Sequence, residues 1–346
     1  MSTNENENLP STIARELLIF GQIHTGTSNY FKPKTTNNHT IPILQTPHYE
    51  FISNQSKETR RKYLHYLKIS WKYYGLKNNI FSRKKQLRKF LNLYTDISNG
   101  LTIDPIEVLE RPDGKLIVLD GNHRASIAIH LNLTLPVAKK NIIETFSKIT
   151  SVPDSFYGSG NRNAPYQSIL VGKEIIIEGR RKDLAERNSM MDANDIYNKN
   201  ILDLGSNLGQ SLNLAIESGA NSGVGIESLS KVATAAMRLN TYYSANVEFL
   251  NLDLNTSSHF IKKFDTIFCF SVFRHVINKG NLIETIHQNL GRVLYLEGHS
   301  GDVLEDYIEL IEAIKFSKIE LIGFLPASAH DNRRSRPFWR LDLMEG

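Results

Sequence analysis

ILDLGSNLGQS, at residues 201–211, is the most informative stretch of this 346-residue sequence. An apolar run ends at Asp203 and Leu204, Gly205 follows, and a second glycine, Gly209, stands just before a polar helix start. Glycines here let the backbone turn tightly and approach a ligand, and the amino end of a helix attracts hydrogen-bond acceptors. The spacing predicts a strand, a ligand-binding turn and a helix.

Strands and helices alternate around this stretch. Short apolar segments predict five strands, at residues 200–204, 223–226, 247–250, 265–270 and 293–296. Helical stretches separate most of them, and such alternation is typical of a parallel sheet covered on both faces. Two further strands, 319–325 and 338–343, are joined by a polar loop without a helix. We therefore expect these last two to pair antiparallel.

Carboxylates follow two of the predicted strands. Glu227 ends the second strand, where a carboxylate can accept hydrogen bonds from both hydroxyls of a ribose. Asp253 follows the third strand, where it can accept from an adenine amino group. The glycine spacing alone is a weak signal, and these carboxylates, in order along the chain, strengthen it.

Together these elements make residues 166–346 resemble a class I S-adenosylmethionine-dependent methyltransferase. The resemblance implies a Rossmann-like seven-stranded α/β sheet whose last strand is reversed, with S-adenosylmethionine as cofactor. It places Asp203 and Gly205 at the methionine part, Glu227 at the ribose, and Asp253 with Leu254 at the adenine. The remaining cofactor residues that it implies are Ser206, Asn207, Gly209, Ser228, Phe270 and Ser271. A nicotinamide-binding domain is the alternative, but its turn is G-x-G-x-x-G rather than G-x-x-x-G.

Three residues are candidates for a general base, which a hydroxyl acceptor needs. His275, Glu297 and His299 follow predicted strands, at the edge where ligands bind to such a sheet. A single histidine is more often a structural hydrogen-bonding group than a base. Arg274 either orients an anionic acceptor or caps a helix. None of these residues is predicted to bind a metal.

Similar methyltransferases that act on sugars or glycans cover the acceptor with the region before the sheet, which here includes Arg180 and Arg181. A solvated basic turn is the alternative for this region.

The N-terminal half contains a second strand–turn–helix pattern, in VLDGNHRASIAIHL at residues 118–131. A helix amino end attracts anions, and an arginine there can make a bidentate phosphate contact. A helix start capped by Asp120 is the alternative. Residues 103–137 resemble the ParB/sulfiredoxin superfamily, a smaller α+β fold that binds nucleotide phosphates at this corner. The resemblance implies a nucleotide triphosphate site, with Mg²⁺, at Asp120, Gly121, Asn122, His123 and Arg124. Sulfiredoxin chemistry is excluded because this half has no cysteine.

Composition predicts the domain organisation. We expect an irregular arm at residues 1–50, a basic domain at 51–150, a linker rich in Ser, Gly, Pro and Asn at 151–165, and the methyltransferase domain at 166–346. The net charge of +5 divides into +9 for residues 1–165 and −4 for the rest. Such asymmetry suggests that the first half meets an anion.

A basic segment explains much of that asymmetry. Residues 57–89 hold 12 Lys and Arg against Glu58 alone, interleaved with aromatic residues. This pattern suits single-stranded nucleic acid or a sugar phosphate. Buried aromatic rings beneath a solvated charged face are the alternative.

Composition also limits the class of protein. The apolar fraction of 40% and charged fraction of 22% are those of globular domains. No apolar run is long enough for a membrane span. The single Cys269 and the polar start predict a cytoplasmic protein. We predict a methyltransferase acting on a sugar, glycan or other small polar, phosphorylated acceptor; the alternative is a nucleic-acid-modifying methyltransferase.

Overall fold

The structure is a computed structural model. The residues that it describes are 6–21, 40–73, 79–147, 165–172, 174–243, 245–256, 262–326 and 335–344. The chain divides into two compact units. The N-terminal unit comprises residues 1–148 with 237–244, and the C-terminal unit comprises residues 149–236 with 245–346. The predicted linker, 151–165, lies outside the described residues except for Pro165.

The N-terminal unit is built on a six-stranded mixed sheet. Its elements are β1 (Asn6–Leu9), α1 (Ser11–Leu17), β2 (Leu18–Gly21), β3 (Thr40–Pro42), α2 (Pro47–Ser53), α3 (Lys57–Tyr73), α4 (Ile80–Ser98), β4 (Ile106–Glu110), β5 (Leu116–Asp120), α5 (Asn122–His130), β6 (Leu135–Lys140) and α6 (Ile142–Ser147). The strand order is β1-β6-β4-β5-β2-β3. Pro112, Asp113 and Gly114 lie in the turn of the antiparallel hairpin β4–β5.

Within the predicted irregular arm, residues 6–21 and 40–50 form strands and helices. β1 pairs with β6, and β2 pairs with β5 in the middle of the sheet. These short strands lack a clear period because they are only four residues long, so tertiary pairing rather than local pattern forms them.

The C-terminal unit contains a seven-stranded sheet. Its elements are β7 (Ile169–Val171), β8 (Glu174–Ile177), α7 (Leu184–Met190), β9 (Asn200–Leu204), α8 (Gln210–Glu217), β10 (Ser222–Ile226), α9 (Ser230–Tyr243), β11 (Val247–Leu250), β12 (Phe264–Phe270), α10 (Lys279–Asn289), β13 (Leu290–Glu297), α11 (Ile308–Ile314), β14 (Phe316–Pro326) and β15 (Ser335–Leu343). The order is β11-β10-β9-β12-β13-β15-β14, and β7–β8 form a separate hairpin.

The strand directions in this sheet are those predicted from the sequence. The pairs β11–β10, β10–β9, β9–β12 and β12–β13 are parallel, whereas β15 runs antiparallel to both β13 and β14. A buried apolar cluster including Leu204, Cys269 and Leu294 packs with Leu282 and Ile286 of α10. Because parallel strands end at the same edge, the carboxyl ends of β9, β10, β12 and β13 form one rim, where an open α/β sheet binds its ligands.

Candidate functional site

The site is organised by the turn between β9 and α8, here called the C-terminal corner (residues 203–211). Gly205 and Gly209 both have positive φ, 72° and 74°. A Cβ on Gly209 would lie 2.2 Å from the ring of Phe249, so a glycine is required there. The backbone N–H of Ser206 donates to the carbonyl of Ile226 at 2.9 Å. These contacts hold the turn against β10.

A cavity of about 510 Å³ lies at the carboxyl ends of the strands. Of the residues predicted from the sequence, those that line it are Asp203, Gly205, Asn207, Glu227, Ser228, Asp253, Leu254, Phe270, Ser271, His275 and His299. Ser206, Gly209 and Glu297 do not line it, and the side chains of Ser206 and Glu297 are buried.

Asp203 is a buried carboxylate that faces this cavity. It is 2% exposed, and none of the residues the structure describes hydrogen-bonds its side chain. Burial raises its pKa to about 7, nearby Glu227 acts in the same direction, and Arg187 opposes it. A buried carboxylate without a hydrogen bond is costly, so this position favours a cationic ligand group.

Glu227 and Asp253 line the same cavity from the ends of β10 and β11. Glu227 accepts hydrogen bonds from the backbone N–H of Asn207 at 3.1 Å and of Leu229 at 2.8 Å, and burial raises its pKa. One oxygen of Asp253 accepts from the backbone and side-chain nitrogens of Asn255, at 2.9 and 2.8 Å. Both carboxylates are therefore held in fixed orientations at the cavity wall.

Glu297 is not available as a general base, which corrects the sequence-based assignment. It is fully buried and ion-paired with Arg181 at 2.9 Å and Arg187 at 2.7 Å, and it accepts from Ser271 Oγ at 2.7 Å. Burial alone would raise its pKa, but the two arginines lower it well below the usual range. A carboxylate held this way anchors the arginines rather than accepting a proton.

The arginines around Glu297 are part of the site. Arg181, Arg187 and Arg336 all line the cavity. Arg181 also forms a bidentate pair with Asp183, and Arg187 lies over the ring of Phe270, 4.0 Å from its centre. Of these three arginines, the sequence pointed only to Arg181, in a region that either covers the acceptor or forms a solvated basic turn. Arg187 lies on α7 and Arg336 on β15, and no local motif marks them.

The two candidate histidines meet at the rim. Their Nε2 atoms lie 3.2 Å apart, and their ring centres 4.9 Å apart. Burial lowers the pKa of both, that of His299 to about 4, and nearby Arg336 acts in the same direction. Arg274 lies off the cavity, ion-paired with Asp302 and Asp306.

The second pattern, here called the N-terminal corner (residues 120–124), differs from its expectation. Gly121 has a positive φ of 95° and is the N-cap of α5, so a helix does follow this turn. His123, however, points into the core, where Tyr63 Oη lies 2.7 Å from its Nε2, and burial lowers its pKa to about 4. Arg124 donates to the carbonyls of Asp104 and Pro105 and to Asp120 Oδ2, at 3.1, 2.8 and 2.9 Å.

These contacts place the His123 ring against the core and make Arg124 a brace between α5 and the two residues before β4. Gly121 and Asn122 shape the helix start. The nucleotide site predicted at residues 120–124 therefore gains no support from their geometry.

The basic segment separates into a charged face and a buried face. Tyr63, Tyr66 and Phe90 are 0–6% exposed and belong to the core, so the expectation of stacking rings is wrong for these three. The charged residues remain outside; those classed as exposed are Lys57, Arg60, Arg61, Lys68, Lys84, Lys85, Arg88 and Lys89. Among the described residues, no helix is long and apolar enough to cross a membrane, and no three His, Cys, Asp or Glu side chains group as metal ligands.

No family model matches this chain, and no curated protein matches it. Solved structures resemble about half of it. The N-terminal domain of EvdMO1 with S-adenosylhomocysteine bound is 16% identical, with 51% of this chain and 90% of that one covered and a TM-score of 0.41. The 1,6-didemethyltoxoflavin-N1-methyltransferase of Burkholderia thailandensis is 12% identical, covering 47% and 79%, at 0.41. WbdD, a bifunctional kinase-methyltransferase, is 20% identical in one structure, covering 47% and 41%, at 0.39.

Proposed function

We propose that this protein is an S-adenosylmethionine-dependent methyltransferase acting on a sugar, glycan or other small polar, phosphorylated acceptor. One observation carries the proposal. Asp203, Glu227 and Asp253 stand at the ends of three neighbouring parallel strands and line one cavity, and Asp203 is buried without a hydrogen bond from any described residue.

The residues present fit the cofactor. Asp203 would pair with the methionine ammonium group, Glu227 would accept from the ribose hydroxyls, and Asp253 would accept from the adenine amino group beside apolar Leu254. The cofactor supplies an electrophilic methyl group activated by its own sulfonium charge. The protein then has to bind, orient and exclude water. A buried, mainly preformed cavity serves these tasks.

The arginines support an anionic acceptor. Three guanidinium groups, of Arg181, Arg187 and Arg336, line the cavity, and each is ion-paired with Glu297. Guanidinium groups are suited to phosphate because their donors match its oxygens. We do not extend the proposal to a nucleotide triphosphate with Mg²⁺ at residues 120–124, since Arg124 and His123 are bonded within their own unit.

Calorimetric titration with S-adenosylhomocysteine tests the cofactor assignment. We expect the full chain to bind, and Asp203→Ala and Glu227→Ala each to weaken binding by about tenfold or more, since a hydrogen bond to a charged group is worth about 1.5–3 kcal/mol. Glu284→Ala is the control, because Glu284 is exposed on α10 and its hydrogen-bond partner among the described residues is Gln288. Absence of binding, or variants equal to the wild type, would refute the proposal.

The acceptor class is tested with isotopically labelled S-adenosylmethionine and paired monosaccharides and monosaccharide phosphates, followed by mass spectrometry. We expect methylation to favour the phosphates, and Arg336→Gln to reduce that preference. Equal methyl transfer to the uncharged monosaccharides would show that the acceptor need not be phosphorylated. The cofactor assignment would be unaffected.

The exposed Lys and Arg side chains of α3 and α4 favour a second candidate function, that of a nucleic-acid-modifying methyltransferase. Binding through such a face is electrostatic and falls steeply with salt. We expect Lys84, Lys85 and Arg88 charge reversals to abolish retention on single-stranded DNA or RNA if this function holds. Negligible retention at low salt would reject it.

A further inference from the structure

His275 and His299 form a hydrogen-bonded pair whose direction can be assigned. His275 closes the short 3₁₀ turn Phe273–His275 after β12, and His299 follows β13. The Nε2···Nε2 separation of 3.2 Å requires that one nitrogen carries a proton and the other accepts it. Two arrangements are open, and they differ in which of the two rings keeps a lone pair on Nδ1, because both Nε2 atoms are used in the pair.

Asp302 decides between them. His299 Nδ1 is buried and has no hydrogen-bond partner among the described residues. It lies 4.0 Å from Asp302 Oδ2, which also accepts from the His299 backbone N–H at 2.8 Å. A protonated Nδ1 is attracted by this carboxylate, whereas a lone pair would be repelled. Nε2 of His299 is then the acceptor. His275 Nε2 is the donor, and its Nδ1 keeps a lone pair.

Asp302 is itself firmly held. Its side chain is buried, Tyr307 Oη donates to Oδ2, and Arg274 is ion-paired with it. His299 and Asp302 are positioning residues, because they act through the ring of His275, which is exposed at the rim and lines the cavity.

The charged groups around the pair keep it neutral before the acceptor binds. Arg336, Lys279 and Arg274 are cationic neighbours that disfavour a proton on these rings, and Asp302 is the anionic one. An anionic acceptor that pairs with Arg336 offsets part of this positive field and so favours proton uptake by the pair.

We propose that His275 Nδ1 is the general base for methylation of an acceptor oxygen, with His299 and Asp302 fixing its tautomer. This rests on the proposed function and specifies its reaction as O-methylation of a hydroxyl. The hydroxyl oxygen forms a bond to the methyl carbon, and the carbon–sulfur bond breaks with its electron pair going to sulfur. The hydroxyl proton goes to His275 Nδ1, and the Nε2 proton of His275 can pass to His299 Nε2.

Long-range ¹H–¹⁵N spectra of histidine-labelled full chain with S-adenosylhomocysteine test the tautomers directly. We expect His275 protonated at Nε2 only and His299 at Nδ1 only. Asp302→Asn should weaken the His299 preference, whereas the control Asp306→Asn, which removes another Arg274 partner, should leave it unchanged. His275 protonated at Nδ1 in the wild type would overturn the proposal without needing any variant to fold.

Activity provides the second measurement. General-base catalysis contributes about 10²–10⁴-fold, so His275→Asn should lower the methylation rate of a hydroxyl acceptor at least about 100-fold. Its affinity for S-adenosylhomocysteine should stay within about twofold. A rate equal to the wild type would overturn the base assignment while leaving the proposed function intact. A wild-type protein that does not bind S-adenosylhomocysteine would instead refute the proposed function.

Discussion

The N-terminal and C-terminal corners share one backbone design and differ in what their charged groups do. Each has a strand that ends at or just after an aspartate, a glycine with positive φ and a helix start. At the N-terminal corner the arginine is bonded to Asp120 and to two carbonyls. At the C-terminal corner Asp203 is buried, faces a cavity and receives no hydrogen bond from the described residues. The strand–turn–helix backbone therefore does not by itself indicate a binding site. A polar side chain that lacks a partner among the described residues does.

The largest expected difference between the two units is in the free energy of unfolding that is lost when an ion-paired carboxylate is removed, because one carboxylate is buried and the other is exposed. Removing one partner of a buried ion pair leaves an uncompensated charge and costs about 3–5 kcal/mol. We therefore expect Glu297→Ala to lower the free energy of unfolding of the C-terminal unit by about that amount. Asp120→Ala, at an arginine pair whose carboxylate is 71% exposed, should cost less than about 1 kcal/mol.

The two tryptophans allow each unit to be followed separately. Trp71 packs on the core of the N-terminal unit, and Trp339 lies in that of the C-terminal unit. Urea denaturation monitored by fluorescence, with the other tryptophan replaced by Phe, measures both variants. Equal losses for Glu297→Ala and Asp120→Ala would contradict the distinction drawn from burial.

The C-terminal corner also depends on the absence of a side chain at Gly209. Positive φ costs a non-glycine residue about 1–2 kcal/mol, and overpacking against Phe249 costs about 1–3 more. We expect Gly209→Ala to destabilise the unit by about 2–5 kcal/mol. Gly301→Ala tests φ alone, because Gly301 has a φ of 82° and no atom within 4 Å of its Cβ position. A Gly209 variant no worse than Gly301→Ala would show that the turn can move away from Phe249.

The sequence predicted the seven strands of the large C-terminal sheet because its short apolar segments alternate with helical stretches, but it did not predict the β7–β8 hairpin. It also placed Asp203, Glu227 and Asp253 at one rim, since strand ends in a parallel sheet coincide. It failed for Glu297 and His123. Their partners, Arg181 and Tyr63, lie 116 and 60 residues away in the chain, and no local pattern reports such pairings.

Asp203 should make cofactor binding depend on pH. Burial raises its pKa to about 7, so in the free protein it is mostly protonated below that value. A cationic ligand group binds its ionised form, and we expect affinity for S-adenosylhomocysteine to rise with pH from 5.5 to 7, by at most about tenfold per unit. Titration calorimetry at a series of pH values measures this.

Folding stability should change in the opposite direction. The unfolded pKa of Asp203 lies below the folded one, so its contribution is fully present below the unfolded pKa and is lost as pH rises to about 7. Asp203→Asn should remove this slope from the C-terminal unit and flatten the dependence of affinity on pH. An unchanged slope in both measurements would mean that another group titrates.

The smallest effect is expected at the N-terminal corner, and it tests whether the corner is only structural. Lysine cannot reproduce the branched contacts of Arg124 to Asp104, Pro105 and Asp120, so Arg124→Lys should cost the N-terminal unit about 1 kcal/mol. Trp71 fluorescence in urea measures this. With its donors used within the unit, Arg124 should not bind phosphate, so titration of the wild type with MgATP should give no heat attributable to this residue. MgATP binding that Arg124→Lys abolishes would show that the guanidinium exchanges its internal partners for a ligand, and the two corners would then be two binding sites.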